Sequence, residues 1–250
     1  MNQEFKTHNF KKKYGQNFLK SQAVINQIVK AIPKNTEDVI EIGPGAGALS
    51  EKLSQKNYKI EALEIDEDCI KILEEKQIKN LKITKGDALT YKFEEKGVIG
   101  NLPYNISTKI LINFCYKTIP WGIFMLQKEV AEKILSTKCE RLSMMIKSRY
   151  SIKKVTNAKA ADFHPKPKVD SQVIKIEEHD KYKEIEFKKI EEVGRIVFQN
   201  KRKKISSTKK INEAVYEAIV KCEIDLNKRP EDLSENEFFN ICKAYEKKQQ

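Results

Sequence analysis

Short apolar strands alternate with helical stripes from Asp38 to about Ile176, and this alternation constrains the chain more than any other feature. Asp38-Val-Ile-Glu-Ile42 reads as a strand, and Leu49 and Leu53 then fall at helical spacing. Tyr58 to Glu64 alternates as a second strand, Glu67 to Lys76 carries a helical stripe (Ile70, Leu73), and Leu81-Lys-Ile-Thr84 is a third strand. Val98-Ile-Gly-Asn101 is a fourth, followed by a helix capped at Ser107 with Ile110, Leu111 and Phe114 inward. Trp121 to Leu126 is a fifth and leads into a helix over Lys128 to Leu135, with further extended runs around Ile152 and over Val173 to Ile176. Strands that alternate with helices build a parallel sheet covered on both faces, so the fold class is α/β. Before the first strand, Ser21 precedes Val24, Ile25, Ile28, Val29 and Ile32, an N-cap residue ahead of a helical stripe ending at Pro33.

The alternation stops near Asp180. Lys183 to Phe198, Ile211 to Cys222 and Ser234 to Tyr245 read as helices, so the expected organisation is an α/β domain over 1–180 and a small basic helical domain over 181–250. With 40% hydrophobic and 34% charged residues the chain has enough apolar material for a core, which excludes simple disorder. It contains no apolar run approaching the ~20 residues of a bilayer crossing and no secretory h-region, so a cytoplasmic protein with no membrane partner is expected. Cys69, Cys115, Cys139, Cys222 and Cys242 form no CxxC pair, and no two of His8, His164 and His179 lie within helical reach. No metal site is therefore expected.

Forty-eight basic against 36 acidic residues give a net charge of +12, which points to a polyanionic partner. The excess gathers at Lys11-Lys12-Lys13, at Lys166 and Lys168, and above all between Arg195 and Lys210, where Lys201, Arg202, Lys203 and Lys204 follow one another. Such clusters suit phosphate contacts, and a solvated basic face is the plainer alternative.

Glu41-Ile-Gly43-Pro-Gly45-Ala-Gly47 lies between the first strand and a helix, where glycines admit close approach of the backbone to a ligand. Glu64 ends the second strand about twenty residues further on, where an acid accepts ribose hydroxyls. Asp87 follows the third strand, placed to accept from an adenine amino group. Glu41 flanks the turn where a pyrophosphate would want positive charge, so a cationic nucleoside, S-adenosylmethionine, fits better than NAD.

Asn101-Leu102-Pro103-Tyr104 closes the fourth strand at the edge where open parallel sheets bind ligands. The exocyclic nitrogen of adenine is a poor nucleophile because its lone pair is delocalised into the ring. If the Asn101 side-chain oxygen and the Leu102 carbonyl accept its two hydrogens, the nitrogen becomes more tetrahedral and its lone pair is aimed. Pro103 stiffens the turn, and Tyr104 can stack on the base. No general base is needed, because the methylated ammonium is acidic enough to lose its proton to water.

These blocks, together with Tyr14-Gly-Gln-Asn-Phe-Leu19, Met125-Leu-Gln-Lys-Glu-Val-Ala131, Phe163-His-Pro-Lys-Pro-Lys-Val-Asp-Ser171 and Phe198-Gln-Asn-Lys-Arg-Lys-Lys204, resemble the ribosomal RNA adenine N6-dimethyltransferase family, and within it the small-subunit enzyme. The resemblance implies a Rossmann-like S-adenosylmethionine-dependent methyltransferase with a small C-terminal helical domain. It implies that the substrate is two adjacent adenines in the 3′-terminal hairpin loop of small-subunit rRNA within an immature 30S particle. A monomer is the expected working form. The cofactor contacts it implies are Gln16, Asn17, Leu19, Gly43, Gly45, Glu64, Ile65, Asp87, Ala88 and Asn101. Its target-base contacts fall on Asn101, Leu102, Tyr104 and Phe163, the last of which would otherwise read as a core aromatic. The related large-subunit rRNA methylases share the glycine turn and the Phe-x-Pro-x-Pro segment. A DNA adenine methyltransferase, or a ribosome-assembly factor binding through its basic surface, are the remaining alternatives.

Overall fold

The computed structural model describes residues 16–93, 96–117 and 119–246; the Lys11–Lys13 cluster and Tyr14-Gly15 lie outside them. The elements run β1 (Phe18–Leu19), α1 (Gln22–Lys30), β2 (Asp38–Ile42), α2 (Ala48–Gln55), β3 (Lys59–Glu64), α3 (Glu67–Lys76), β4 (Leu81–Lys85), β5 (Gly97–Asn101), α4 (Ser107–Tyr116), β6 (Trp121–Gln127), α5 (Lys128–Leu135), α6 (Arg141–Lys147), β7 (Tyr150–Ala158), β8 (Phe163–His164), β9 (Ser171–Glu178), α7 (Phe187–Val197), α8 (Glu213–Lys221) and α9 (Glu235–Glu246). They form two compact units, one of Met1–Ala131 with Ile152–Glu177 and one of Glu132–Ser151 with Glu178–Gln250.

The first unit holds a seven-stranded sheet in the order β4-β3-β2-β5-β6-β9-β7. The strands β2 to β6 are parallel, and β9 returns antiparallel to β6 with Ser171 opposite Gln127. The chain winds outward from β2 through β3 to β4 and comes back to β5 on the other side of β2. The carboxyl ends of β2 and β5 therefore form a topological switch point, where the loops diverge and leave a crevice. On one face of the sheet Val24, Ile25 and Ile28 of α1 and Leu53 of α2 bury against Val39, Ile99 and Ile123. On the other, Phe93 meets Phe114 edge-on and Phe114 stacks on Phe124, with ring centroids 4.9 and 5.4 Å apart.

Two local expectations are revised. Ser21 occupies the N-cap of α1 without a side-chain cap bond. Ile106, not Ser107, caps α4, and the Ser107 hydroxyl instead donates to the Tyr104 carbonyl at 3.4 Å.

In the second unit α6, α7, α8 and α9 enclose a core that includes Met144, Ile190, Val193, Ile219, Phe238 and Phe239. The sequence reading placed residues 132–151 with the α/β domain. They belong instead with the helices, because Cys139 and Met144 bury their apolar side chains in this core. Helix α7 starts at Phe187 rather than near Lys183. The Ile185 N–H donates to the Tyr182 carbonyl at 3.1 Å in a turn, Arg149 donates to the Tyr182 carbonyl at 3.1 Å and the Ile185 carbonyl at 2.7 Å, and Tyr182 stacks on Phe239, which together hold this segment outside the helix. At α8 the Asn212 side chain accepts the Val215 N–H at 2.9 Å, a cap that sets the start of the helix. All five cysteines are free thiols and all but Cys222 are buried.

Candidate active site

A cleft of about 250 Å³ opens at the switch point. It is lined from the carboxyl ends of four neighbouring strands: Ile42 and Gly43 after β2, Glu64 and Ile65 after β3, Asp87 and Ala88 after β4, and Asn101 to Tyr104 after β5. These positions are the ones singled out by the sequence pattern, and the parallel register makes them neighbours.

Gly43 and Gly45 have φ of +62° and +57°, in the left-handed region that favours glycine. A Cβ on Gly43 would meet nothing within 4 Å and would stand in the open cleft, so its missing side chain is space for a ligand. A Cβ on Gly45 would lie 2.7 Å from the Phe18 ring, which packs directly over the turn. Phe18 lines the cleft and was missed by sequence reasoning; its only signal was its place inside the Gln16-to-Leu19 block.

Glu64 lines the cleft and also clamps the backbone around it. Its Oε1 accepts the N–H groups of Ile65 and Asp66 at 2.8 and 2.9 Å, and its Oε2 accepts the Gly45 N–H at 3.2 Å. A carboxylate offers about four acceptor directions, so one remains, on Oε2, for a ligand hydroxyl. Burial pushes the Glu64 carboxyl up, against the lowering effect of these three N–H groups. Next to it Ile65 is 43% exposed, an apolar rim residue suited to the face of a purine. Asp87 Oδ1 accepts the Leu89 N–H at 2.9 Å, and its second oxygen makes no hydrogen bond to a described residue. Gln16 donates to Asp66 at 2.5 Å, which ties the start of the described chain to the foot of α3. The residues thus fit a nucleoside whose ribose meets Glu64 and whose base lies between Ile65 and Asp87.

Asn101 is fixed by a contact that no local pattern reveals. Its Nδ2 donates to the Asn17 carbonyl at 2.7 Å, which leaves Oδ1 as the acceptor of the amide. The Asn17 carbonyl is in place because β1 pairs antiparallel with β8, Leu19 opposite Phe163. Leu102 donates its N–H to the Met125 carbonyl at 3.2 Å, holding the turn to β6. Tyr104 lines the cleft with its phenol 2.6 Å from Ser171 Oγ, and burial pushes that phenol up from its ordinary range.

Three expectations are corrected. Phe163, expected on the target base, is 1% exposed and packs in the core with Leu19 and Ile25, so as folded it offers no open ring face and does not line the cleft. Leu19, expected at the cofactor, has its side chain in the core and lines a smaller pocket beside the cleft with Gly43 and Asn101; the segment leading into β1 brings Gln16, Asn17 and Phe18 to the cleft itself. Glu41 does not line the cleft either. It lies beneath the glycine turn, 2% exposed, accepting the Ser50 hydroxyl at 2.5 Å, and burial pushes its carboxyl up to about 7.

In the second unit the basic run is displayed on turns between α7 and α8, with Lys201, Arg202, Lys203 and Lys204 all exposed. Lys201 lies 3.7 Å from Glu140 and Lys204 donates to Asn227 at 2.9 Å. Arg202 and Lys203 have no ion pair with a described residue and are the most available cations of the four.

The family model for ribosomal RNA adenine dimethylase matches residues 7–247. A ribosomal RNA small subunit methyltransferase A of Sulfurihydrogenibium sp. is 39% identical over 248 residues, covering 92% of this chain and 94% of its own. Its counterpart in Mycoplasma mobile is 34% identical over 243 residues, covering 92% and 96%. The crystal structure of a dimethyladenosine transferase from Plasmodium falciparum superposes with a TM-score of 0.79 at 25% identity, over 93% of this chain and 98% of that one. The 23S rRNA methyltransferase ErmE shares the fold, with a TM-score of 0.72 at 21% identity over 92% of this chain and all of its own.

Proposed function

The chain belongs to the ribosomal RNA adenine dimethylase family, the S-adenosylmethionine-dependent enzymes that dimethylate adenine N6 of ribosomal RNA, and from that membership we propose its specific substrate: two adjacent adenines in the 3′-terminal hairpin loop of small-subunit rRNA. The rRNA is met within an immature 30S particle in the cytoplasm, and the enzyme works as a monomer. No described helix is long and apolar enough to cross a membrane.

The observation that carries the reading is the anchored amide of Asn101. With Nδ2 held by the Asn17 carbonyl, Oδ1 is the atom presented to an incoming amine. In the proposed complex Oδ1 and the Leu102 carbonyl accept the two hydrogens of N6, drawing its lone pair out of the ring and toward the donor. Tyr104 supports the extruded base by stacking, as enzymes that act on a base must remove it from its neighbours. S-adenosylmethionine supplies the electrophilic methyl group, and Gly43, Glu64, Ile65 and Asp87 would hold it. Water takes the proton from the methylated nitrogen. Catalysis then rests on alignment of two reactants, an effect worth up to about 7–11 kcal/mol. Lys201, Arg202, Lys203 and Lys204 contribute phosphate contacts that are independent of this chemistry.

The test is incubation of the protein with labelled S-adenosylmethionine and immature small subunits, followed by mapping of the modified nucleosides on both rRNAs. Label as N6,N6-dimethyladenosine at the two hairpin adenines is expected; label confined to the large-subunit RNA would overturn the assignment. Asn101→Ala is expected to lower turnover on the order of 100-fold while leaving subunit affinity within about threefold. Equal losses in both would remove the role given to Asn101.

A further inference from the structure

Tyr104 is held at both ends. Its main chain lies in a turn closed by the Ile106 and Ser107 N–H groups, which donate to the Pro103 carbonyl at 3.1 and 2.9 Å. Its phenol oxygen lies 2.6 Å from Ser171 Oγ. Ser171 is 0% exposed and opens β9, where the antiparallel ladder sets it opposite Gln127 of β6. The parallel neighbour of β6 is β5, whose last residue is Asn101. The hydroxyl that holds Tyr104 and the amide proposed to grip the substrate are thus fixed to one continuous stretch of sheet, three strands wide.

A phenol ring fastened at Cβ and again at its para oxygen keeps one internal rotation, about its own long axis. It cannot swing away from the cleft without breaking the bond to Ser171. With its pKa raised by burial, the phenol keeps its proton at neutral pH, so this is a bond between two hydroxyls. We propose that Ser171 is a positioning residue for methyl transfer: its hydroxyl tethers the Tyr104 ring so that the ring's position and long axis, against which the target adenine stacks, are fixed relative to Asn101 Oδ1. The inference rests on the function proposed above and adds to it a residue that does not line the cleft.

Ser171→Ala, Tyr104→Phe and the double variant, assayed on immature small subunits with S-adenosylmethionine, test the tether. Each single change is expected to lower kcat about tenfold, as the loss of one hydrogen bond in an aligned complex does. The KM for subunits and the Kd for S-adenosylmethionine are expected to stay within about twofold. The double variant should be no slower than the slower single one, because both changes break the same bond. Multiplying losses, an unchanged kcat in Ser171→Ala, or a loss confined to cofactor affinity would each overturn the tether. Thermal unfolding of each variant accompanies the kinetics; Tyr104→Phe removes the bond from the cleft side and keeps the test intact if Ser171→Ala fails to fold. A wild-type protein that leaves the adenines unmodified removes the proposed function and the tether with it. An active wild type with a fully active Ser171→Ala removes the tether alone.

Discussion

Glu41→Gln isolates the buried carboxyl beneath the glycine turn. Burial raises this group from 4.5 to about 7, with the nearby Glu64 adding to the rise and the Ser50 hydroxyl opposing it. The folded-state value lies above the unfolded one, so the folded chain holds the proton more tightly. Stability from this group is therefore complete below about pH 4.5 and is lost as the pH rises through 7. The gap corresponds to about 3 kcal/mol at roughly 1.4 kcal/mol per pH unit. Glutamine keeps an acceptor for Ser50 and carries no charge, so the variant escapes that loss. Urea unfolding of both proteins between pH 4.5 and 8.5 measures the difference, and the other titrating groups largely cancel in it. The variant should gain on the wild type by about 3 kcal/mol from the acid to the alkaline end. A difference constant to within about 0.5 kcal/mol over that range would refute the argument, since it would mean that Glu41 titrates alike in the folded and unfolded chains.

Gly43→Ala puts a methyl group into the open cleft with no protein atom to strike. A stability loss of only about 1–2 kcal/mol from the left-handed backbone is expected, together with at least tenfold weaker S-adenosylmethionine binding by calorimetry. Phe163→Ala removes a ring that is 1% exposed and should cost about 3–5 kcal/mol of stability; a normal melting temperature with lost turnover would instead return Phe163 to the target base. Neutralising Arg202 and Lys203 together to glutamine should reduce the slope of log affinity against log salt by about 1.5. The same change at Lys201 and Lys204, which already have protein partners, should do less.

Much of the cleft lining is legible in the sequence. The order of strands and helices, the glycine turn, Glu64, Asp87 and the Asn101-to-Tyr104 segment follow from hydrophobic period and turn chemistry. Both are local properties, and a parallel sheet brings strand ends to one edge whatever the details of packing. Contacts between distant segments were not legible. Asn101 and Asn17 meet across 84 residues and Tyr104 and Ser171 across 67, and these pairs exist only because β1 finds β8 and β9 turns back along β6. The fates of Phe163 and Leu19 were hidden for the same reason, since a side chain is cleft or core according to what packs over it. So was the transfer of residues 132–151 to the helical unit, decided by which apolar surface was there to receive Cys139 and Met144. Short-range periodicity sets which residues reach the edge of a sheet; only the closed fold sets which of them hold one another in place.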